Sequence, residues 1–262
     1  MPPPPLPYSP SHPSLPGGVL LLLLGVLPLA CTADHWPDYR PLERQLAVVW
    51  VAAELRDEVV LDTYSERALR HWRSLRKQAG PLAPAERLAL HQLDLWLLGL
   101  RNAVAARQYP QVLAQLQRLR YQLGELRKQQ GGDDPLDELY GFAREWQWVM
   151  EISEDQMMCL LDWPEYVDAY ASARQRWTRF QRSAPLRAER TLPGLHRRAA
   201  AAEQAGLALT ATLAAFEEQL LEADHGPMAA ASHRVHQQFI DYLRVAVDYP
   251  TAAAAATELT NL

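Results

Sequence analysis

The chain has 262 residues, 48% of them hydrophobic and 22% charged, and a net charge of −5, which is apolar material enough for a sizeable core and too much for a disordered protein. The acidic balance offers nucleic acid no concentrated basic surface, so nucleic acid is not expected as a partner. The 12 glycines are scattered at turns, and no Gly-x-Ser-x-Gly, Cys-x-x-Cys, haem-attachment or phosphate-loop motif occurs, so the sequence points to no enzyme and no cofactor.

Residues 1–18 are proline-rich, and Val19 to Ala30 form an apolar run of signal-peptide length, too short to span a bilayer. Cys31 directly follows Leu27-Pro28-Leu29-Ala30, which resembles the lipobox of bacterial lipoproteins. It departs from that pattern in having no Lys or Arg before Arg40 and in placing Pro28 where the family has Leu. The resemblance implies that residues 1–31 are a signal peptide ending at a lipidated Cys31, acylated with palmitate-type chains. Thr32 in place of Asp implies an outer-membrane anchor facing the periplasm. With Cys31 acylated, Cys159 has no disulfide partner and is expected as a small buried hydrophobe. Residues 32–40 read as a tether and 41–262 as one helical domain.

Helical periods then follow in order. Leu42, Leu46, Val49, Ala53, Val60 and Tyr64 share a line interrupted by Asp57. The pattern resets around Asp62 to Glu66, with Asp62 as the cap of a second helix through Ala68, Leu69, Trp72 and Leu75. Ala79 to Pro84 is a loop by composition. Leu88, His91, Leu95, Leu98 and Ala105 form the next apolar line, and after Tyr109-Pro110 so do Leu113, Leu116, Leu119 or Arg120, Leu123 and Leu126. Gly131 to Pro135 is a stop and a start. A helix through Leu139, Phe142 or Ala143, Trp146, Met150, Met157 and Leu161 reaches Trp163-Pro164, and Tyr166 or Val167, Tyr170, Trp177 and Phe180 continue to about Arg182. Ser183 to Pro193 is a connection, and an alanine-rich helix carries Leu195, Ala199, Ala202, Leu209, Leu213, Phe216 and Leu220 to about Ala223. Met228, Ala231, Val235, Phe239, Tyr242 and Ala246 mark the last strong helix, and Thr251 to about Leu259 a weak one. No stretch alternates strictly, so no sheet is expected.

Four times an aromatic followed by Pro or Ser opens a new run: Tyr64-Ser65, Tyr109-Pro110, Trp163-Pro164 and Tyr249-Pro250. Proline suits a first turn and the aromatic wedges the junction. Trp96-Leu97-Leu98-Gly99 with Tyr109 and Val112 resembles tetratricopeptide-type helical repeats, and Tyr64 with Ala68 and Trp163 with Val167 repeat the later half of that pattern. The expected fold is all-α, an array of antiparallel helical hairpins, with a bundle of long kinked helices as the alternative.

The most pointed polar feature is a duplicated acidic pattern, Glu54, Asp57 and Glu58 behind Trp50, and Glu151, Glu154 and Asp155 behind Trp148. Spacings of three and four put each set on one helical face. The third comparable helix carries His91, Asp94 and Arg101 there, and the last carries His233, His236 and Asp241. These residues fit a solvated helix face. They also fit a binding groove, which the tetratricopeptide resemblance places along the leading helices, for a protein or peptide partner of basic character. A third fit is a metal site built from Glu54, Glu151, His233 and His236, although the one Glu-x-x-His, Glu222 to His225, lies at a helix end. The basic runs Arg67, Arg70, Arg73, Arg76, Lys77 and Arg174, Arg176, Arg179, Arg182 complement the negative poles of their helices, with anionic lipid headgroups as a second use. A membrane-anchored, non-catalytic binding scaffold is the expectation, and a metal- or cofactor-carrying bundle its rival.

Overall fold

A computed structural model describes residues 38–78, 84–129, 134–154, 163–187, 191–222, 225–251, 253–255 and 257. Cys31 and its signal segment, most of the 32–40 tether, Asp155, Met157, Cys159 and Leu161 lie outside them. The described residues contain helices and no strand: α1 (Arg40–Leu55), α2 (Glu58–Gln78), α3 (Pro84–Ala105), α4 (Tyr109–Gln129), α5 (Pro135–Glu154), α6 (Trp163–Arg187), α7 (Gly194–Arg197), α8 (Ala199–Glu222) and α9 (His225–Ala246).

The helices pack as neighbouring hairpins, α1 with α2, α3 with α4, α5 with α6 and α8 with α9. Two hairpins close into one four-helix group, because α2 also meets α3 and α1 meets α4. The other two do the same through α6 with α8 and α5 with α9, and the groups meet where α1 touches α9. The array of helical hairpins is therefore the observed fold.

Periodicity explains most of the core. Leu116, Leu119, Leu123 and Leu126 of α4 are fully buried, as are Met228, Val235 and Ala246 of α9, with Phe239 and Tyr242 nearly so. The first group is filled chiefly by aliphatic side chains. The second is aromatic: Phe142 lies 4.9 Å from Phe239 and 5.7 Å from Trp177, and Trp146 meets Phe216 edge-on at 5.0 Å. Their polar edges are satisfied, since Trp146 Nε1 donates to the Ser232 carbonyl, Trp177 Nε1 to Thr210 Oγ1 and Tyr170 Oη to the Leu213 carbonyl.

Four sequence expectations need correcting. The line Leu88, His91, Leu95, Leu98 is the outer face of α3, with Leu88, Leu95 and Leu98 each at least half exposed, whereas Leu90, Leu93, Leu97, Leu100 and Val104 face the core. The helix is apolar on two sides, and period alone does not say which side finds a partner. The first break falls at Arg56 and Asp57 and not at Asp62 to Glu66, so Tyr64-Ser65 lies within α2. Asp57 caps that helix, its Oδ1 accepting the Val60 N–H at 3.2 Å. The alanine-rich helix is split at Arg198 into α7 and α8, and Ala199 is exposed. The end of the expected tether belongs to the fold, because Tyr39 is buried in the core and Arg40 opens α1.

The reversals after α1, α3 and α9 share one construction. Arg56, Arg107 and Asp248 have φ of 54°, 55° and 54°, left-handed values that L side chains rarely adopt. Each is followed by an N–H that reaches back five residues: Asp57 to Ala52, Gln108 to Ala103 and Tyr249 to Arg244. That pairing satisfies carbonyls a helix end otherwise leaves open. The three corners also hold one another. Arg107 forks onto both oxygens of Asp62 at 2.6 and 2.8 Å, Tyr109 Oη donates to Glu58 at 3.3 Å, and Tyr249 Oη donates to Asp57 Oδ2 at 3.0 Å.

Candidate functional site: a groove between the two helical groups

Between α4 and α5 runs a groove of about 1430 Å³, with Trp50 and Glu54 of α1 and His236 and Phe239 of α9 among its lining residues. One wall is α4, from Pro110 through Gln117 to Lys128, and the other is α5, from Pro135 through Tyr140 to Met150, with Arg176 and Arg179 of α6 behind it. The groove exists because the two four-helix groups meet along α1 and α9, while α4 and α5 stand on either side of that seam.

Trp50 anchors the inner surface. Its ring lies 5.5 Å from Phe239 and 6.3 Å from Tyr140, and the Arg120 guanidinium stacks 3.7 Å above it. Arg120 Nε donates to the Leu116 carbonyl at 3.2 Å, whereas its buried Nη1 and the buried Tyr140 Oη have no hydrogen-bond partner among the described residues. Burial lowers the Arg120 pKa to about 10, against the opposing pull of Tyr140 and Glu54. Burial likewise raises the Tyr140 hydroxyl above its ordinary value.

Toward one end, the buried Arg127 of α4 joins Glu43 of α1 to Asp137 of α5. Glu43 is 1% exposed, so this bridge carries an ionised group out of water and depends on its partner being present. Burial also raises the Asp137 pKa, more than Arg127 lowers it. On the α5 side Arg176 lies 3.4 Å from Glu138, and Gly141 leaves room for it: a Cβ there would sit 2.5 Å from Arg176 Nη1.

Of the residues expected from sequence to form a binding face, Trp50 and Glu54 line the groove. Glu54 is engaged, its Oε1 accepting Trp50 Nε1 at 3.3 Å and its Oε2 lying 3.3 Å from His236 Nε2. Asp57 and Glu58 belong to the corners. Asp94 accepts Trp72 Nε1 at 2.5 Å and pairs with Arg76 at 3.4 Å, tying α2 to α3. His91 and Arg101 are exposed on α3. Trp148 is 48% exposed, Glu151 accepts from Gln147 on its own helix, and Glu154 pairs with His233 at 2.8 Å. The two acidic patterns thus each send one carboxylate to a histidine of α9, Glu54 to His236 and Glu154 to His233. The alternative metal set does not assemble: Glu54, Glu151, His233 and His236 make these separate pairs, and no three His, Cys, Asp or Glu among the described residues come together as a metal site.

Sequence reasoning missed the α4 wall, Tyr140 and the Arg127 bridge. The available signal was Arg120 itself, a cation standing on a line of leucines. The chain matches no protein-family model, no curated protein and no solved structure.

Proposed function

We propose that the chain is a lipoprotein anchored through Cys31 in the outer membrane and facing the periplasm, whose helical domain is a non-catalytic scaffold binding a polypeptide in the groove between α4 and α5. The observation that supports this is an elongated groove of about 1430 Å³ with aromatic and aliphatic side chains between polar walls, the composition of a recognition cleft. Tyr121, exposed, and Leu113 and Met150, half-buried, line the groove and offer apolar side chains of the partner a place to bury. Those acidic groups that the structure describes, Glu54, Asp57, Glu58, Asp94, Glu151 and Glu154, are engaged within the fold, so this reading rests on apolar contact more than on charge.

The test places a photo-crosslinking residue at Gln117 on one wall, at Gln147 on the other and at His91 on the outer face of α3. The same polypeptide is expected to attach from both walls and not from His91; no adduct from either wall, or equal adducts from all three, overturns the proposal. Cys31→Ser is expected to release the protein from membranes, and retention rules out the anchor. Stoichiometric iron, copper or haem in the purified chain would replace the scaffold with the metal- or cofactor-carrying alternative.

A further inference from the structure

A second, smaller cavity of about 310 Å³ lies where the first half of α1 meets the second half of α2, lined by Gln45, Arg67, Arg70 and His71. Among the described residues no carboxylate lines it. The neighbouring arginines of α2 have acidic partners, Arg73 with Glu66 at 3.7 Å and Arg76 with Asp94 at 3.4 Å. Arg70 differs: its Nε and Nη2 are both buried and meet no acceptor among the described residues. Those two N–H groups form the edge of a guanidinium that grips two oxygens of an oxyanion side by side. Arg67 stands over the Tyr64 ring at 4.9 Å. His71 is held below its ordinary pKa by burial and by Arg67, Arg70 and Arg44 around it. An unmet donor edge out of water is costly, and Arg44 and Arg67 nearby add positive potential around the cavity. An anion with several oxygens and more than one charge relieves both, which a single carboxylate does less well.

We propose that Arg70, with Arg67, His71 and Gln45 around it, forms a binding site for a phosphoryl oxyanion, separate from the groove. Two of its oxygens lie along the Arg70 edge. Turning the Gln45 amide over exchanges its unpartnered, buried Oε1 for an NH₂ donor. A free phosphate group and a phospholipid headgroup present this chemistry equally.

The test is calorimetric titration of the full chain in neutral detergent at fixed ionic strength, with inorganic phosphate, with acetate, and with micelles doped with phosphatidylglycerol or phosphatidylcholine. Saturable binding of inorganic phosphate identifies a soluble ligand, and binding of phosphatidylglycerol micelles alone identifies a headgroup. In either case Arg70→Gln is expected to weaken binding about tenfold or more through loss of a charge-assisted pair of hydrogen bonds. Arg67→Gln should also weaken it, and Arg73→Gln should leave it unchanged. Should Arg70→Gln fail to fold by circular dichroism, Arg67→Gln decides. Binding of neither phosphate nor phosphatidylglycerol, equal binding of acetate or phosphatidylcholine, insensitivity to the two pocket substitutions, or an equal loss in Arg73→Gln overturns the site.

Discussion

Single residues carry more of this fold than their types suggest. Arg56 adopts φ 54° at the first corner, a conformation that glycine takes without the clash of a Cβ against the backbone. Its side chain makes one exposed contact, 5.6 Å above the Tyr109 ring. Arg56→Gly is therefore expected to raise stability by about 1 kcal/mol, measured as a higher urea midpoint with an unchanged slope. Arg127 is the opposite case. Removing it strands Glu43, 1% exposed, as a buried charge, so Arg127→Ala should cost about 3–5 kcal/mol, read by the same denaturation. Nothing local in the sequence distinguishes Arg127 from its neighbour Lys128, which pairs with Glu125 on the surface.

At the scale of elements, α3 carries the sharpest contrast. Leu93 is fully buried and Leu95, two positions on, is 53% exposed. Leu93→Ala should cost about 2–5 kcal/mol by leaving a cavity, whereas Leu95→Ala should stay within about 0.5 kcal/mol as an ordinary surface change. Equal losses in thermal melts of the two variants would contradict the assigned orientation of α3. The all-helical class, the order of the long helices and the starts of α4, α5 and α6 were legible because apolar period, Pro135 behind Asp134 and the Tyr109-Pro110 and Trp163-Pro164 corners are local signals, whereas the break at Arg56 and the split at Arg198 carry no glycine or proline to mark them. Which stripe of a doubly apolar helix turns inward was not, since that depends on the helix it meets. The same reason hid the groove: Trp50 and Glu54 were found as an acidic pattern with a tryptophan behind it, but Arg120 and Tyr140 join them only after α4 and α5 are folded against α1. Asp57 was noticed as an interruption on an apolar line, and its cap and its bond to Tyr249 give that interruption its cause.

Buried tyrosines spread along the chain tie its stability to pH at the alkaline end. Burial pushes the hydroxyls of Tyr166 and Tyr170 up to about 12, and it also raises Tyr39, Tyr140, Tyr242 and Tyr249, the last helped by Asp57 beside it. In the unfolded chain these groups lose their protons near pH 10. A phenol whose folded pKa is raised contributes stability that is intact below the unfolded pKa and lost as pH climbs toward the folded value. Stability should thus fall steeply between pH 10 and 12, followed by tyrosinate absorbance and circular dichroism together. Tyr166→Phe or Tyr170→Phe should each make that decline shallower, and a flat profile over the window would contradict the buried placement of these rings.

The seam between α1 and α9 sets an order of events. Trp50 is emitted by the ribosome early, yet the rings that cover it, Tyr140 and Phe239, arrive only after most of the polypeptide has been made. Until then that indole has, among the described residues, only Arg120 stacked on it, and a nascent chain in that condition has reason to need shelter by a holdase while it matures.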